Sequence, residues 1–215
     1  SVALTALTTG ADNIAIGMDA MLAADGAESD NIAIGRNAMT NADNDGVAKN
    51  IVIGNYAGDG IGGSNAAHTG NIIIGYDAGG GSWSGTDASS ANILIGNYCA
   101  DDAMAGANQN TIIGDASATV LSTGVCNTGV GKLSLRNLTT GNGNTTLGYN
   151  TFLSGAGVEK EMILAVNTAG FAITGAGTET CRIGCQTDYI TNDFGENATW
   201  THSSDVRIKK DIEDN

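Results

Sequence analysis

The chain has 215 residues, with 32 glycines, no proline, only 3 Phe and 2 Trp, and a charged share of 15%. A single globular core leans on large aromatics and leucine; here the apolar share rests on Ala, Ile and Val spread along the whole length, which suits a thin, elongated structure. The net charge of −14 repels phosphate backbones and anionic membranes, which excludes nucleic acid as a partner, and no apolar run approaches the roughly 20 residues that cross a bilayer. Beginning at Ser1 without a visible secretory signal, the sequence reads as a fragment or a processed product.

From residue 13 onward one unit recurs eight times: Asn, three mostly apolar residues, Gly. It reads NIAIG from Asn13 to Gly17, NIAIG from Asn31 to Gly35, NIVIG from Asn50 to Gly54, NIIIG from Asn71 to Gly75 and NILIG from Asn92 to Gly96. It continues as NTIIG (Asn110 to Gly114), NTGVG (Asn127 to Gly131) and NTTLG (Asn144 to Gly148), at spacings of 18, 19, 21, 21, 18, 17 and 17 residues. Position four is always a sizeable aliphatic and position two is Ile, then Thr; the two share a strand face because side chains alternate. Position five, always Gly, fits a turn with positive φ or a close backbone approach. Three residues later comes a small residue that permits close stacking: Ala20, Ala38, Ala57, Ala78, Cys99, Ser117, Ser134 or Thr151. Asn suits the turn entry, and stacked asparagines can form ladders.

A unit this short cannot bury its own apolar face, so successive units must stack into a solenoid. Position three (Ala15, Ala33, Val52, Ile73, Leu94, Ile112) makes the opposite strand face apolar as well. One face fills the coil; the other needs cover, and a neighbouring chain is the simplest source. A parallel α/β sheet would need crossover helices, and linkers such as TNADNDGVAK and GGGSWSGTDASSA are poor helix formers. The expectation is an all-β chain: a repetitive parallel β-roll or β-solenoid of about eight coils over residues 1–155, in a homotrimer. A short β region, packed differently, follows over 156–200, and residues 201–215 form a third segment.

The loops add candidate contacts. Trp83, among small polar residues, and a stripe formed by Tyr56, Tyr76 and Tyr98, continued by Tyr149, are candidate receptor contacts, with packing as the competing role. Loop aspartates (Asp12, Asp25, Asp30, Asp43, Asp45) match no calcium motif and read as solvated charge. Cys99, Cys126, Cys181 and Cys185 lack zinc-site spacing and read as free thiols, a Cys181–Cys185 disulfide being the alternative. No metal and no cofactor is expected. Asn137, Asn144 and Asn197 lie in sequons, a weak signal.

Two motifs carry a resemblance. NIAIGxxAM and NTTLGYNTF are similar to the head repeats of YadA-type trimeric autotransporter adhesins, left-handed parallel β-rolls with three chains about one axis, and to runs in phage tail fibres. THSSDVRIKKDI, from Thr201 to Ile212, resembles the junction that opens the endosialidase-type intramolecular chaperone of phage tail spikes and fibres. The resemblance implies a structural protein of a phage tail fibre, located on the virion and extracellular. Its implied partners are two further copies of itself, other fibre or tail proteins, and a host cell-surface glycan or protein. It also implies one self-cleavage event at the Ser204–Asp205 bond, with Ser204 as nucleophile and Lys209 as the base that takes its proton. Otherwise no enzyme activity is expected, although carboxylate pairs on β-solenoids do cut polysaccharide in some spikes. The alternative reading is a bacterial trimeric adhesin or surface filament on the cell surface.

Overall fold

The structure is a computed structural model that describes residues 3–4, 7–43, 46–62, 66–83, 86–167, 172–185, 188–195 and 197–202, the last of these as backbone. The eight Asn–Gly units each form one three-residue strand: β1 (Ile14–Ile16), β2 (Ile32–Ile34), β3 (Ile51–Ile53), β4 (Ile72–Ile74), β5 (Ile93–Ile95), β6 (Thr111–Ile113), β7 (Thr128–Val130) and β8 (Thr145–Leu147). Then come β9 (Thr151–Phe152), β10 (Met162–Ala165), β11 (Ile173–Thr174), β12 (Thr180–Cys185), β13 (Asp188–Asp193) and β14 (Asn197–His202). Strands β1 to β8 pair in parallel in chain order, like position against like position, so that Ile14 faces Ile32 and Ile93 faces Thr111. The chain is an all-β solenoid.

The stacking runs further than the repeat pattern indicates. β10 adds in parallel to β8, and β12 adds in parallel to β10, giving ten parallel strands and nine turns. Glu161 takes the Asn place of the ninth strand and Ala165 its Gly place; Thr180 and Gly184 do the same for the tenth. The expected boundary at 155/156 is therefore corrected. The packing changes only where β13 and β14 turn back antiparallel on β12, while β9 and β11 form a separate parallel pair.

Three features of the unit explain the stacking. Each buried Asn joins two coils: the Asn92 amide donates to Asn71 Oδ1 (3.0 Å) and, across its own coil, to the Ala107 carbonyl (2.8 Å), while its Oδ1 accepts both the backbone N–H and the amide of Asn110 (3.0 Å each). The same pattern runs from Asn13 to Asn144, whose Oδ1 accepts the Glu161 N–H. Glu161, itself buried, accepts from the Ser154 and Gly177 backbone N–H groups (2.8 and 2.7 Å), which satisfies both carboxylate oxygens. Glycine at position five is needed twice over: at Gly17 φ is +128°, and a Cβ would lie 2.5 Å from the Gly35 carbonyl oxygen. The small residues at position eight, from Ala20 to Thr151, are fully buried.

Position three is the inward one. Ala33, Val52, Ile73, Leu94, Ile112 and Ile163 are fully buried. Position nine of the same coil lies against position three, since a Cβ at Gly58 would lie 3.4 Å from Val52 Cγ1 and one at Gly79 3.3 Å from Ile73 Cδ1, and from β2 to β6 the sizes at the two positions compensate. Ala33 is matched with Met39; Leu94 with Ala100; Ile112 with Ala118. Where position three is Gly129, Leu135 fills the space, its Cδ1 2.6 Å from where a Gly129 Cβ would be. Close packing demands such constancy, since an interior tolerates neither a void nor an overlap the size of a methyl group.

Candidate interaction surface

From β1 to β8 positions two and four point out of the solenoid in two parallel columns, position four aliphatic throughout and position two Ile through β5 and Thr from β6 to β8. In the single chain Ile14 is 48% exposed, Ile16 57%, Ile113 37% and Leu147 49%, with the central isoleucines half-buried by their neighbours above and below. Fully desolvating one such side chain is favourable by about 1.5–3 kcal/mol.

Beside these columns runs a polar and aromatic stripe at positions six and seven. Arg36 lies over the Tyr56 ring at 4.7 Å and donates to its hydroxyl. Tyr56 and Tyr76 meet edge to face at 5.8 Å, and Tyr76 and Tyr98 at 5.4 Å. The predicted tyrosine stripe is thus formed by residues from three successive coils. Farther along, position six holds the Asp115–Lys132 ion pair at 2.8 Å and Tyr149. That pair raises the Lys132 pKa through its hydrogen bond to Asp115.

Trp83 does not join this surface. It is fully buried, its Nε1 donates to the Gly79 carbonyl (3.0 Å), and its ring meets His68 edge to face at 5.3 Å. The expectation of an exposed receptor contact is corrected. Position nine of this coil is Gly79 rather than Met, and a Cβ there would lie 3.3 Å from Trp83 Cζ2. The indole fills the interior volume that the glycine leaves empty. His68, also buried, accepts the Ser89 N–H at Nδ1 (3.0 Å), and burial lowers its pKa.

The remaining candidates separate clearly. Asp59, on the third coil, is held up to about 6, first by burial and then by the Asp77 carboxylate; Asp101 is raised by burial. Among the described residues no group of three or more His, Cys, Asp or Glu could hold a metal ion. The four cysteines are free thiols; Cys99 and Cys181 are buried, and burial pushes Cys99 up to about 12, which leaves it an inert packing residue. Ser204, Asp205 and Lys209 lie outside the described residues. No described helix is long and apolar enough to cross a membrane. No family model, curated protein or solved structure matches the chain.

Proposed function

We propose that this chain is a rod-like segment of a homotrimeric phage tail fibre, on the virion, that presents host-attachment surfaces in three copies. The observation that supports this reading best is the outer face of the solenoid: in β2 to β5 both strand faces are apolar, and the coil fills only one of them. Two neighbouring copies about a common axis supply the missing cover. The mechanism is geometric. Nine stacked turns give stiffness, and threefold display multiplies weak contacts with a cell-surface glycan or protein into useful avidity. Processing at Ser204–Asp205 by a downstream chaperone belongs to the same reading, which assigns the rod itself no turnover of substrate.

The test is the native mass of the 215-residue chain by light scattering, with an unboiled SDS gel in parallel. A stable species near three times 21.6 kDa is expected. A clean monomer would remove the basis for interchain burial and redirect the reading to a single-chain solenoid that binds or cuts polysaccharide.

A further inference from the structure

The two outer columns are too narrow to hold copies together unaided. Ten strands ~4.8 Å apart, with about 10 Å of side-chain width, make a strip of roughly 450 Å². A stable interface takes about 800 Å² from each partner. The adjoining position-six column is the obvious source of the remainder, and its apolar members are unusually exposed: Met18 at 46%, Tyr76 at 42% and Val166 at 82%. At the C-terminal end an apolar groove of about 210 Å³ runs between the two columns. Leu147, Leu164 and Ile183, all at position four, form one side of it, and Val166, at position six, forms the other.

We infer that the interchain surface extends from the outer columns across this groove to the stripe at positions six and seven, so that a second copy of the chain covers Val166 and the rings of Tyr76 and Tyr98. The inference rests on the oligomeric reading above. At the level of β8 to β12 the groove makes the position-four and position-six columns physically continuous. The outer columns and the stripe also change character at one level: position two is Ile through β5 and Thr from β6 to β8, and the Arg36–Tyr56–Tyr76–Tyr98 stripe ends at that level, giving way to the Asp115–Lys132 ion pair; at β10 position two is Met162 and position six Val166, apolar in both again. Columns that answer to one partner change together, whereas a solvent-facing column has no reason to follow its neighbour. The level of β1 to β5, with isoleucines and stacked rings, then holds the copies tightly, and the level of β6 to β8, with threonines and an ion pair, holds them more loosely.

The experiment is a dilution series of the full chain by sedimentation velocity, comparing Val166→Glu and Tyr76→Ser/Tyr98→Ser with the wild type. Val166 is largely exposed in the single chain, so Val166→Glu should leave the circular dichroism spectrum unchanged while the oligomer dissociates at a concentration at least ten-fold higher. The tyrosine variant should weaken it in the same direction. Dissociation of both variants at the wild-type concentration overturns the inference and leaves the tyrosine stripe to a glycan or another outside ligand. A wild-type chain that is monomeric at every concentration fails differently: it removes the oligomeric reading itself, and this inference with it.

Discussion

Leu94→Ala isolates the rule that sets the interior. Leu94, at position three of the fifth coil, and Ala100, at position nine, are both fully buried. Removing three of its carbons should cost about 2–5 kcal/mol, the range for Leu→Ala in a packed core. A coil that stacks at fixed spacing against its neighbours collapses poorly into a void, which places the expectation near ~3 kcal/mol. The second coil already shows the compensated arrangement, Ala33 with Met39. Adding Ala100→Met should therefore recover about half or more of the loss, although Ala100→Met alone overpacks the coil and costs about 1–3 kcal/mol. Backbone conformation does not oppose the rescue: φ is 49° at Ala100 and 51° at Met39, so a long side chain is already accommodated there. Urea denaturation followed by circular dichroism, at one fixed chain concentration, should give a coupling energy of about 2 kcal/mol or more between the two sites. A double variant no more stable than Leu94→Ala alone would refute the size-compensation argument.

Asn92→Ala should destabilise more than its small size suggests, by about 3–5 kcal/mol, because it leaves the Asn110 N–H and the Ala107 carbonyl buried without their partners; a loss below about 1 kcal/mol in the same urea assay would show the ladder to be incidental. Asp59 gives a pH test. Its folded pKa, about 6, lies above the ordinary 3.8, so its contribution is fully present below about pH 4 and is lost as pH rises through about 6. Asp59→Asn should therefore stabilise the chain at pH 7.5, by about 1 kcal/mol after allowing for solvent screening of this half-buried group, and have no effect at pH 4. A gain of equal size at both pH values would remove ionisation as the cause.

The register of β1 to β8 was legible because Asn13 through Gly148 repeat the same residues for the same local reasons: an amide that bridges coils, and a glycine where two backbones touch. The turns formed by β10 and β12 were not legible. Glu161 keeps the backbone donor that the Asn144 rung requires and Ala165 keeps a small side chain, but neither keeps the residue name that the pattern was built on. Trp83 was misplaced for a related reason. Its burial depends on Gly79 leaving volume inside the coil, and interior volume is shared among residues that a linear reading treats separately. The sequence also showed two apolar strand faces without stating which one points inward. That choice is set by closure of the coil, with position three meeting position nine.

Coils of 17 and of 21 residues both advance the rod by one strand spacing, ~4.8 Å. Girth and length are therefore independent variables in this molecule. Residues added to a loop, as between Asn50 and Asn92, thicken one flank without shifting any rung above or below. Insertions can thus remodel the side of the solenoid freely, whereas its reach changes only in whole turns.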